Sequence, residues 1–111
     1  MALTDKQLEE FRTKHGDIEH CKGKAKKDGT IPWEVVLKFP GRAAYKRFRT
    51  ETNQVSQRAD AQERLVRSSI VYPELTAFDA RLERYPGICE SKAVDQALNR
   101  LTGLASEEGE G

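Results

Sequence analysis

Long apolar runs, a cysteine framework and a strong charge of either sign are all missing from this 111-residue chain. No stretch approaches the roughly 20 apolar residues of a membrane-spanning helix. The N-terminal MALTDKQLEEF carries acids and helical spacing in place of a secretory leader. Two cysteines, Cys21 and Cys89, do not make a disulfide framework, and in a reducing cytoplasm they are expected as free thiols. A net charge of +1 supplies no field to draw the whole chain to nucleic acid or anionic lipid. Aromatic residues are few: Phe11, Trp33, Phe39, Tyr45, Phe48, Tyr72, Phe78 and Tyr85. Each hides a large apolar area, so they are the expected core anchors.

What is present suits one small domain with a highly charged surface: 37% of the residues are hydrophobic and 33% charged. The charge is uneven. Residues 1–60 hold thirteen basic and nine acidic side chains, residues 61–111 six and nine, so one half is basic and the other acidic. Such asymmetry fits either a complementary partner or an ordinary solvated surface.

The pattern along the chain predicts an α+β domain over residues 1–105 and a disordered acidic tail over residues 106–111. A helix is expected over residues 5–15. Thr4 and Gln7 make a capping box, Leu3 and Leu8 the hydrophobic staple, and Gly16 the stop. A two-stranded antiparallel β-hairpin follows, with Asp28-Gly29 in its turn. Its better strand is residues 31–39, where Trp33, Val35, Leu37 and Phe39 share a face. Everything after Pro40 reads as three or four helices, over residues 42–54, 59–72, 73–85 and 91–102. Pro73 is expected in the first turn of the third, Leu75, Phe78, Leu82 and Tyr85 along its stripe, and Ser91 at the cap of the last.

Catalytic and metal chemistry find little to stand on. His15, His20 and Cys21 lie close in sequence, but there is no Cys-x-x-Cys or His-x-x-x-His, and strand neighbours His20 and Cys21 point to opposite faces. No metal site and no cofactor are therefore expected. Cys89 sits in a turn before a helix, where a thiol pKa can fall, yet nothing nearby offers a base. Asp79 and Glu83 stand one helical turn apart with Arg81 and Arg84 interleaved, the pattern of a solvated charged face. No catalytic residue is assigned. The basic segments stand out more: Lys22, Lys24, Lys26 and Lys27 crowd the hairpin turn, and Arg42, Lys46, Arg47 and Arg49 crowd the next helix beside Tyr45 and Phe48.

Three short motifs punctuate residues 33–103. Lys38-Phe39-Pro40-Gly41-Arg42 runs into Tyr45-Lys46-Arg47-Phe48-Arg49. Ile70-Val71-Tyr72-Pro73 opens a helix that closes at Leu82-Glu83-Arg84-Tyr85-Pro86-Gly87. A last short helix ends in Leu101-Thr102-Gly103. In this order the motifs resemble those of the small tail assembly chaperones of tailed bacteriophages and prophages. The resemblance implies a non-enzymatic protein of the bacterial host cytoplasm. It would bind the tape measure protein or tail tube subunits until the tube polymerises, and self-association is also open. Such a client, a long helical chain with apolar stripes, calls for an apolar groove with a charged rim. Trp33, Phe39, Arg42, Tyr45, Lys46, Phe48 and Arg49 are the expected partner-binding residues, the groove lying between strand 31–39 and helix 42–54. Two other classes remain: a structural virion component, such as a head–tail connector or tail subunit, and a nucleic-acid-binding module using the basic turn and helix.

Overall fold

A computed structural model describes residues 3–103. Helix α1 spans Asp5–His15 and strand β1 Ile18–Lys22. Strand β2 covers Glu34–Lys38, helix α2 Arg42–Thr52 and helix α3 Val55–Ser69. Strand β3 is Ile70–Tyr72, helix α4 Leu75–Arg84 and helix α5 Lys92–Leu101. A 3-10 turn at Ile88–Glu90 joins α4 to α5. The expected α+β class is thus observed, and the expected tail over residues 106–111 lies outside the described residues. Among the described residues no helix is long and apolar enough to cross a membrane.

α1 forms where its caps demand. The Thr4 hydroxyl accepts from the Gln7 main-chain N–H at 3.2 Å, and the Gln7 side chain accepts from the Thr4 N–H at 2.8 Å. Gly16 ends the helix at φ 80°, a conformation that favours glycine. β1 and β2 then pair antiparallel, with Cys21 opposite Val35 and His20 opposite Val36. β3 joins the other edge of β2, Leu37 opposite Ile70 and Val36 opposite Tyr72, with a bulge between. The sheet order is β1-β2-β3, so the hairpin expected from the sequence is two-thirds of a three-stranded sheet.

Residues paired across strands share a face. Cys21, Val35, Leu37 and Ile70 lie on one face, packed with Leu65, Val66, Phe78, Ile88, Cys89, Val94, Ala97 and Leu98 from α3, α4, the 3-10 turn and α5. His20, Glu34, Val36 and Tyr72 lie on the other, which α1 covers. There Phe11 meets Tyr72 with ring centroids 6.2 Å apart, and the Leu3 N–H donates to the Glu34 carboxylate at 3.1 Å. β2 is therefore sandwiched, which is why Val35, Val36 and Leu37 are consecutive yet all buried. Each such side chain contributes roughly 1.5–3 kcal/mol on leaving water. Among the described residues the one buried polar side chain, Ser69, is satisfied: its hydroxyl donates to the Leu65 carbonyl at 2.9 Å.

Several expectations are corrected. The helix expected over residues 59–72 starts earlier, at Val55, and stops at Ser69, after which Ile70, Val71 and Tyr72 are extended. Two β-branched residues favour the strand, and Pro73 disfavours a helical conformation at Tyr72. Pro73 itself precedes Glu74, the N-cap of α4, and lies outside the helix. Strand 31–39 shortens to Glu34–Lys38. Helix 42–54 ends at Thr52, and Val55, 86% exposed, begins α3. Of the eight aromatic residues only Phe78 is fully buried. Small aliphatics and the two cysteines fill the rest of the core.

Candidate partner-binding surface

α2 grows from a tight strand-to-helix junction. Pro40 ends β2, Gly41 turns at φ 102°, and Arg42 opens the helix. No side chain caps it and no acid occupies its first turn, an unfavourable arrangement at the positive end of the helix dipole. Ala44 and Phe48 turn toward the core, and Tyr45 stands 6.4 Å from Phe48 between ring centroids, half-buried. The helix buries no residue completely and packs chiefly against α3.

α2 carries one acid, Glu51, and that acid is engaged by α3: Arg64 Nε lies 3.2 Å from its carboxylate. Arg58 of α3 donates from Nε to the Thr52 carbonyl at 3.0 Å, fastening the far end. On the outer side Arg42, Lys46, Arg47 and Arg49 are exposed, and none forms an ion pair among the described residues. A row of cations therefore stands without compensation beside two half-buried aromatic rings.

The other expected residues fall in two places. Phe39, 50% exposed, precedes the α2 junction and borders a cavity of about 450 Å³ shared with Ile18 and Leu101. The Glu19–Arg100 ion pair, 2.7 Å, lies along the same cavity. Trp33 is half-buried in a different groove, of about 370 Å³, between residues 29–34 and the start of α4. No α2 residue lines that groove, and Trp33 and Phe39 border two different cavities. Strand and helix follow one another through a turn, while β2 is faced by α1 from earlier in the chain and by α3 and α5 from later.

The remaining candidates for chemistry separate likewise. His20 and Cys21 point to opposite faces of the sheet, His20 meeting Glu34 and Cys21 entering the core. Burial pushes the Cys21 thiol up to about 11 and the Cys89 thiol up to about 12, away from an activated nucleophile. Asp79 pairs with Arg67, whose hydrogen bond holds the carboxyl below its ordinary value. Among the described residues no three histidine, cysteine or acidic side chains converge on a metal position.

Among solved structures, the chain is similar to an uncharacterised protein, rbstp2171, from Bacillus stearothermophilus, with a TM-score of 0.65. The two chains share a fold. The likeness covers 89% of this chain and 94% of that one at 20% identity, so it speaks for architecture alone. No protein-family model and no curated protein matches the sequence.

Proposed function

We propose that this protein is a non-enzymatic tail assembly chaperone of a tailed phage or prophage, acting in the bacterial host cytoplasm. Its α2 surface would hold an acidic, amphipathic segment of the tape measure protein or of a tail tube subunit. The observation that carries this reading is the uncompensated row Arg42, Lys46, Arg47 and Arg49 beside Tyr45 and Phe48. Arg42 stands at the unfavourable end of the helix dipole, and like charges a turn apart, such as Arg42 with Lys46 and Lys46 with Arg49, repel in the isolated chain. The row lowers the free energy only when an anionic surface arrives. The motif order across residues 33–103 supplies the class of client.

The test is binding of the purified protein to its tape measure protein, with and without the triple change Arg42→Glu, Lys46→Glu and Arg49→Glu. All three side chains are exposed, so circular dichroism should be unchanged. Affinity should fall roughly tenfold or more, and wild-type binding should weaken as salt shortens the screening length. Unchanged client affinity would refute the assignment, and an unfolded triple mutant would make the face structural. Loss of tight duplex DNA binding with client binding intact would replace it by the nucleic-acid reading.

A further inference from the structure

A second surface, separate from α2, unites features far apart in the sequence. Lys26, in the loop between β1 and β2, sets its Nζ 5.9 Å from the centre of the Tyr85 ring at the end of α4. The Arg84 guanidinium lies 5.5 Å from the same centre. Interaction with the Lys26 ammonium, reinforced by Arg84, holds the Tyr85 phenol below its ordinary value, a sign of local positive potential. Lys24 and Lys27 are exposed in the same loop, and Arg81, one turn earlier on α4, is exposed without an ion pair among the described residues. The Lys26 N–H donates to the Thr30 carbonyl at 2.9 Å, so this cluster adjoins the groove that Thr30 and Arg81 line.

The groove itself is apolar along Trp33, Tyr72, Pro73 and Ala77. Its one carboxylate is already engaged, because Glu34 accepts from the Leu3 N–H and meets the His20 ring. The groove also contains a bare strand edge. β3 pairs with Val36 and Leu37 alone, so no β3 residue stands opposite Glu34. On the other side of β2, the Gly23 N–H donates to the Trp33 carbonyl at 3.0 Å. Main-chain groups alternate along a strand, so the Glu34 N–H and C=O point away from β1, toward the groove.

We propose that this groove binds an extended segment of a partner protein in which aliphatic and acidic residues alternate. The segment adds to the free edge of β2 at Glu34, as strand-addition ligands do. Its aliphatic side chains enter between Trp33 and Pro73, and its carboxylates meet Arg81 and Lys26. Alternation puts these two classes of side chain on opposite sides of the added strand.

Trp33 is the sole tryptophan of the chain, so its emission reports occupancy of the groove directly. The probe is an N-acetylated octapeptide of alternating leucine and glutamate, titrated into the full-length protein. A saturable change in Trp33 emission is expected, together with slowed hydrogen exchange of the Glu34 amide. Lys26→Glu with Arg81→Glu should weaken the peptide roughly tenfold with circular dichroism unchanged, since both side chains are exposed. The Arg42→Glu, Lys46→Glu, Arg49→Glu protein should bind the peptide as wild type does, which keeps this test apart from that of the α2 surface. The proposal is overturned if no saturable change occurs, if the Glu34 amide exchanges at its free rate, or if the double reversal has no effect or unfolds the chain. It is equally overturned if octaglutamate or oligothymidylate binds as tightly as the alternating peptide, for the patch would then be a general polyanion surface.

Discussion

Replacing Gly23 by alanine would put a methyl group where the Trp33 indole now lies. The new Cβ would stand 2.6 Å from Trp33 Nε1, 2.8 Å from Pro32 Cγ and 2.9 Å from Trp33 Cδ1. All three distances are below contact, and the obstructing atoms belong to two rings that cannot fold aside as a long flexible side chain can. Gly23 is not among the glycines with positive φ, so alanine fits its backbone and the effect is steric. Two terms then oppose each other. Overpacking costs about 1–3 kcal/mol, and loss of chain freedom in the unfolded state returns about 0.4–1 kcal/mol. The expected net is a loss of about 1–2 kcal/mol. Urea denaturation followed by far-UV circular dichroism measures it, and Trp33 emission should shift in the native baseline as the indole moves. In a Trp33→Leu background the same change should cost less, because most of the obstruction is gone, with a coupling above roughly 0.5 kcal/mol. A Gly23→Ala protein as stable as wild type, with unaltered emission, would refute the packing described for this corner.

Phe78, fully buried at the centre of the main cluster, should be the most sensitive aromatic position. Phe78→Ala is expected to cost about 3–5 kcal/mol, a large part of the stability of a domain this size, and thermal unfolding checks it. Both thiols should resist alkylation in the native protein at mildly alkaline pH and react once urea unfolds it, as intact mass will show. Burial raises their pKa values from 9.0 to about 11 for Cys21 and about 12 for Cys89. The unfolded chain therefore gives up these protons first. The stability they contribute is complete below about pH 9 and declines as pH rises toward those values, which urea titration across that range will reveal.

Local signals carried most of the fold. The capping box of α1, the proline and glycine between β2 and α2, and the Ser91 cap of α5 each act within a few residues, and each element begins or ends where they stand, while Asp28-Gly29 turns the chain inside the longer loop between β1 and β2. What sequence periodicity could not show depends on distant partners. Val36 alternates out of the apolar face of β2, but it is buried because α1 returns over it. Ile70, Val71 and Tyr72 continue a helical pattern, and only an open edge of β2 makes them a strand. Trp33 and Phe39 share an alternation with Val35 and Leu37, yet they lie beyond the ends of β2 and border two different cavities. The basic character of α2 was legible directly, since a helix of this composition has one acid to set against four bases. That Glu51 is held by Arg64, leaving the four cations alone, required the fold. The meeting of Lys26 with Arg84 at Tyr85 had no sequence signal, for those residues come together only when the loop after β1 folds against α4.

β2 and β3 are neighbours in the sheet, and everything between them, α2 and α3, leaves the sheet and returns as one antiparallel pair. The turn at Asn53 and Gln54 that joins the two helices is exposed. A protrusion rooted at adjacent strands can change length or outer sequence while the strands that define the core keep their register, since loop closure grows only slowly with added length. α2, which buries no residue completely, is the more replaceable half of that protrusion, and α3, with Ala61, Leu65, Val66 and Ser69 in the core, is its fixed root. A lineage of such proteins could therefore change the outer face of α2 and keep the same body, so two members would differ most between Arg42 and Thr52.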